Sequence, residues 1–129
     1  MSLARSLYPD INKERDYEPI INSFGTVLAR CDDDKHWSGT TMVLLRSERC
    51  GRYGVLVFCW SVQSGIDPLS ECVNYDEIDE IIEWLNSKIE WFDTLDAAKV
   101  YITNDAEHEG KYFYRYKAWE QFKSAVQEL

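Results

Sequence analysis

Between Phe24 and Trp60 the chain alternates short apolar runs with polar connections, and the runs are too short for ordinary helices. Residues 26–31, 40–46 and 53–60 are rich in β-branched and aromatic side chains and read as three strands. The third, Tyr53-Gly54-Val55-Leu56-Val57-Phe58-Cys59-Trp60, is apolar on both faces and is expected to be central. The intervening stretches 32–36 and 47–52 are polar and short, so residues 24–62 are expected to form an antiparallel meander.

From Asn74 the period lengthens. Asn74 with Glu77 three residues on resembles a capping box, in which the side chains satisfy orphan N–H groups of a first helical turn. Ile78, Ile81, Ile82, Leu85, Ile89 and Phe92 follow at helical spacing, which predicts one continuous apolar stripe as far as Phe92. Thr94 can cap a shorter helix through Leu95, Ala98 and Ile102. Residues 104–110 read as a polar loop, and 111–116 as an edge strand with Tyr112, Tyr114 and Tyr116 on one side. Trp119, Phe122, Val126 and Leu129 mark a C-terminal amphipathic helix, while residues 1–20, with Pro9 and Pro19, read as a short helix or arm. The expected architecture is one α+β domain: a small antiparallel sheet of three to four strands with two or three helices packed on one face.

Composition agrees with a folded chain. The 129 residues leave room for one domain, and 45% hydrophobic with 29% charged residues is a globular balance. No apolar run approaches the roughly 18 residues of a membrane helix. The N-terminal stretch has no apolar signal-peptide core, so a cytoplasmic protein is expected, with Cys31, Cys50, Cys59 and Cys72 as thiols.

Charge changes the picture more. The net charge is −9, and residues 71–96 carry nine acids against Lys88 alone. Such a field repels phosphate backbones, so direct nucleic-acid binding is disfavoured and a basic protein partner is favoured.

Three stretches invite a chemical reading. The segment CWSVQSGIDPLSEC, residues 59–72, is bounded by cysteines, but twelve residues separate them and no histidine is near. That spacing matches no short zinc pair, so Cys59 and Cys72 are expected as buried structural thiols. Cys31-Asp32-Asp33-Asp34-Lys35-His36 lacks the alternate ligands and glycine turn of a calcium loop and reads as a solvated hairpin loop. His108, between Glu107 and Glu109, reads the same way. No nucleophile motif or phosphate-binding glycine loop is present, so no catalytic residue, cofactor or metal site is expected.

The run RYGVLVFCWSVQSGIDPLSEC followed by YDEIDEIIEWLNSKIEWFDTLDAAKVY resembles a family of small bacterial and phage proteins with no assigned activity. That family carries an Arg-Tyr-Gly-Tyr-Leu strand, a Gly-Trp-Gly-Ser-Cys-Ser-Gly-Cys-Asp-Ala-Leu-Gln-Ala-Cys segment, and an acidic helix ending Lys-Trp-Phe-Asp. Trp60, Ser64, Gly65, Asp67, Leu69, Cys72, Trp91, Phe92 and Asp93 carry the likeness, which spans residues 52–101. Two family cysteines fall on Gln63 and Ile66 here, so no metal or redox role transfers. The resemblance implies a phage or mobile-element setting.

The acidic helix is the leading candidate surface. At 100° per residue from Ile78, Asp76, Asp79, Glu80, Glu83 and Glu90 project onto one face, with Trp84 and Trp91 beside them one heptad apart. Aromatic anchors next to negative charge suit a basic groove. The leading expectation is therefore a non-enzymatic acidic protein-binding module, for instance an inhibitor that mimics nucleic acid or neutralises a basic nucleic-acid enzyme or toxin. A small-molecule- or metal-binding domain with a pocket of Tyr53, Trp60, Asp67 and Cys72 is one alternative. An oligomer-forming accessory protein whose tryptophans meet in a homodimer is another.

Overall fold

The computed structural model describes residues 2–13, 16–34, 38–61, 69 and 72–129. Four strands form one antiparallel sheet in the order β1 (Thr26–Asp34), β2 (Ser38–Arg46), β3 (Tyr53–Ser61) and β4 (Glu90–Phe92). Helices α1 (Leu3–Leu7) and α2 (Glu18–Phe24) precede the sheet. Helix α3 (Tyr75–Lys88) lies between β3 and β4, and α4 (Leu95–Thr103), α5 (Asp105–His108) and α6 (Lys117–Gln127) follow. The protein is α+β, and its first three strands form the expected meander. Among the described residues no helix is long and apolar enough to cross a membrane.

The helices cover both faces of the sheet, where one face was expected. The reason lies in β2 and β3, the interior strands. Successive side chains of a strand point to opposite faces, and here both sets are apolar. Val43, Leu45, Leu56 and Phe58 join Ile20 and Ile21 of α2 and Ile78, Ile82 and Leu85 of α3 in a first core. Met42, Leu44 and Val55 join Ala98 and Ile102 of α4 and Trp119, Phe122 and Val126 of α6 in a second. The apolar run Met42-Val43-Leu44-Leu45 therefore needs cover on both sides.

Strand β4 carries the chain from one layer to the other, and it corrects the continuous helical stripe. Helix α3 stops at Lys88, and Ile89 turns to an extended conformation with φ −72 and ψ 125. Glu90, Trp91 and Phe92 then pair with Val55, Gly54 and Tyr53. Their side chains alternate: Trp91 packs against the first core and Phe92 against the second. Gly54 permits this crossing, because a Cβ there would lie 2.7 Å from Ile89 Cγ2 and 2.9 Å from Trp91 Cζ3. Gly25 has a similar duty between α2 and β1, where a Cβ would collide with the carbonyl oxygen of Arg46.

The expected edge strand at 111–116 is instead a series of turns. Lys111, Tyr114 and Tyr116 donate backbone N–H groups to the carbonyls of His108, Lys111 and Phe113, three residues back each time. Those bonds occupy the groups a ladder would need. The expected loop at 104–110 contains α5, capped by Asn104, whose Oδ1 accepts from the Ala106 amide at 3.2 Å. The 32–36 hairpin loop is likewise corrected at its start, because β1 runs on through Asp34.

The N-terminal arm is held against α3. Asp79 accepts from Ser2 Oγ at 2.6 Å and from the Ala4 amide at 3.0 Å, and the Tyr75 hydroxyl donates to the Tyr8 carbonyl at 2.7 Å. Asp79 thus satisfies an N-terminal amide of α1 from outside the helix. Asp79→Ala is expected to cost about 1–2 kcal/mol, the scale of a lost N-cap. Denaturant melts measure that loss, and faster amide exchange at Ala4 would localise it. Wild-type stability in the variant would show that the Asp79 contacts contribute nothing beyond the burial of Ala4 and Tyr8.

Candidate functional site

The N-cap half of the capping box forms, while the reciprocal contact runs between side chains and not to the Asn74 backbone amide. The Glu77 amide donates to Asn74 Oδ1 at 2.9 Å, and Asn74 Nδ2 donates to Glu77 Oε1 at 3.3 Å. With α3 started there, Ile78, Ile82 and Leu85 turn inward and Asp76, Glu80 and Glu83 are exposed. Trp84 is 41% exposed on the same outer side, and Lys88 Nζ lies 5.1 Å from its ring centroid. Cys72, Glu77, Glu80, Ile81 and Trp84 border an open hollow of about 390 Å³ with an apolar floor and acidic rim. Val73 beside it is also exposed.

Three members of the expected surface are placed elsewhere. Asp79 is occupied by the α1 contacts. Glu90 is exposed but lies on the sheet edge. Trp91 is half-buried over Gly54, with the Arg52 guanidinium 5.9 Å from its ring. The heptad pairing of Trp84 with Trp91 therefore does not exist, because angular arithmetic along a helix ends where the helix ends. What remains together is Asp76, Glu80, Glu83 and Trp84, and the structure adds Glu77 at the border of the hollow.

The alternative pocket of Tyr53, Trp60, Asp67 and Cys72 does not assemble. Tyr53 packs against the second core and Cys72 belongs to the first, on the opposite side of the sheet. Tyr53 and Trp60 are also seven residues apart along one strand, roughly 23 Å at the usual strand rise. Asp67 and the Trp60 side chain lie outside the described residues.

The cysteines divide. Cys72 is buried as expected, whereas Cys59 is exposed, past the last second-core residue of β3. Among the described residues, no group of three or more His, Cys, Asp or Glu is placed to hold a metal ion. Asp32 pairs with Arg30 at 3.2 Å and accepts from Thr41 Oγ1 at 2.6 Å, and His36 lies outside the described residues.

His108 corrects the reading of a solvated loop residue. It is 1% exposed, with Tyr101 and Trp119 rings at centroid distances of 4.8 Å and Phe113 at 5.9 Å. Its Nε2 lies 2.7 Å from the Tyr101 carbonyl oxygen. Nothing in Glu107-His108-Glu109 announces this. The one available signal is that 105–108 can form a helical turn, on which His108 can point inward while its neighbours point out. Burial pushes the His108 imidazole below its ordinary pKa of 6.5, assisted by the nearby Lys111 and Lys123, and the Tyr101 bond only partly opposes it.

The unfolded chain therefore binds a proton that folded His108 refuses. Stability is expected to be complete above about pH 6.5 and to fall on acidification toward the lower folded pKa. His108→Leu should flatten that limb of a stability–pH profile measured by chemical denaturation. An unchanged limb would assign the acid sensitivity to carboxylates instead.

Comparison of the chain with family models, curated proteins and solved structures finds no match.

Proposed function

We propose that the protein is a non-enzymatic binding module that uses the outer face of α3 to engage a basic protein. The observation that carries this reading is Trp84, a large exposed aromatic set on an acidic rim above the apolar floor of Ile81 and Cys72. Buried aromatic anchors supply most of the energy in protein interfaces, and complementary charge supplies rate and selectivity. In the setting that the resemblance to small phage and bacterial proteins implies, the partner is a basic nucleic-acid enzyme or a toxin.

Magnitudes favour an anchored contact over a long phosphate mimic. Asp76, Glu80 and Glu83 span eight residues of helix, about 10 Å of axis. Duplex DNA carries roughly six charges over that length. Three carboxylates match only part of such a field, so Trp84 has to contribute. A two-fold homodimer through this face is disfavoured, because an isologous contact would set each acidic rim against its own copy.

The test is capture of partners from host lysate on the immobilised protein at low and high salt. A basic protein retained at low salt, released at high salt and not retained by Glu80→Lys/Glu83→Lys supports the reading. A partner indifferent to both salt and charge reversal would overturn the acidic-face assignment.

A further inference from the structure

We propose that the hollow on α3 receives an arginine side chain of the basic partner, its guanidinium stacked on the Trp84 ring and paired with the Glu80 carboxylate. The inference rests on the binding reading above and names the residue type that this face selects.

Three observations meet here. Glu80, Ile81 and Trp84 all border the hollow. Glu80 and Trp84 stand four residues apart on α3, so their side chains are neighbours on one helix face. Ile81 is half-buried against the first core and Cys72 is buried within it, which makes the floor beside them apolar. The second observation is an unmet charge. Glu77 Oε1 accepts from Asn74 Nδ2 at 3.3 Å, whereas exposed Glu80 makes no hydrogen bond or ion pair among the described residues. The third is that the Trp84 ring already attracts a cation, with Lys88 Nζ 5.1 Å from its centroid. Lys88 lies one turn toward the C-terminus, while the other α3 residues bordering the hollow lie on the N-terminal side of Trp84. A side chain in the hollow thus approaches from the opposite end of the helix to Lys88.

An apolar floor beside one free carboxylate suits arginine better than lysine. The methylene stem of arginine can lie along Ile81. Its guanidinium is planar and weakly hydrated, so it stacks on an indole while offering two parallel N–H groups to one carboxylate. The ammonium of lysine is compact and strongly hydrated, and it meets Glu80 only as a point charge. A wholly apolar side chain would cover the floor but leave the Glu80 carboxylate losing water without gaining a partner.

The test titrates the full-length protein with the capped peptide Ac-Ala-Ala-Arg-Ala-Ala-NH2 and with its lysine and citrulline counterparts. Salt is held at about 0.15 M, where the long-range field of the acidic chain is screened. The readout is the Trp84 indole N–H cross-peak, assigned with Trp84→Phe. The expected result is a saturable shift with the arginine peptide and none with citrulline. Affinity should be about tenfold weaker for the lysine peptide, and for the arginine peptide on Glu80→Gln, the loss given by one charge-assisted hydrogen bond. No saturable shift with the arginine peptide would overturn the proposal, as would equal affinity for the lysine peptide or in Glu80→Gln. If that happens while lysate capture still responds to salt and charge reversal, the acidic-face reading stands and the arginine assignment alone falls.

Discussion

Trp119→Ala is expected to destabilise the protein by about 3–5 kcal/mol, a large part of the stability of an ordinary small domain. The side chain is fully buried, and its ring lies 4.6 Å from Phe113, 4.8 Å from His108 and 5.6 Å from Phe122 between centroids. It belongs to α6, the helix that covers β1 and β2 on the second face. Truncation removes the largest apolar contact there and leaves a cavity that surrounding aromatics can refill only by moving. Trp119→Phe should behave differently. It keeps most of the ring and removes an N–H that has no partner among the described residues, so a cost under about 1.5 kcal/mol is expected. Urea denaturation of the three proteins measures both values. If Phe proved as costly as Ala, the indole N–H would have to be hydrogen-bonded in the folded protein.

Trp84→Ala is expected to leave the fold nearly intact and to weaken partner binding by at least about 2 kcal/mol, roughly thirtyfold. The two effects separate because Trp84 is 41% exposed and lies outside the first core, whose α3 contribution comes from Ile78, Ile82 and Leu85. Its ring is also held near Lys88, 5.1 Å from the ammonium, so little rearrangement is needed when a partner closes over it. Dissociation rates of the captured partner, compared for wild type and Trp84→Ala, measure the loss. Unchanged binding would move the interface off the hollow and onto the carboxylates alone. The Trp119→Phe variant is the natural control, since its change is on the opposite face of the sheet.

These predictions use different parts of the molecule, and the sequence exposed those parts unequally. The acidic concentration in residues 71–96 and the start of α3 at Asn74 are local properties, and both survive in the fold. So does the Thr94 cap, whose Oγ1 accepts from the Ala97 amide at 3.0 Å. In contrast, Asp79 looks like any other carboxylate of the acidic face until α1 docks and its amide and Ser2 hydroxyl bind it. Trp91 continues the helical spacing convincingly, yet pairing with Gly54 on β3 takes it into a strand.

By itself, the sequence determined β1, β2 and β3, the starts of α3 and α4 and the acidity of the outer α3 face, because periodicity and capping depend on neighbours within a few residues. It also held, in Met42–Leu45, the need for cover on both faces of the sheet. Only the tertiary structure decided where α3 stops, that Tyr53 and Cys72 face opposite cores, and that His108 is buried against Trp119. Those outcomes depend on residues far apart in the chain: a strand edge open at Tyr53–Val55, a glycine that lets Trp91 approach, and an aromatic shell from α4 and α6. A one-dimensional pattern records which side chains want burial, and packing chooses their partners.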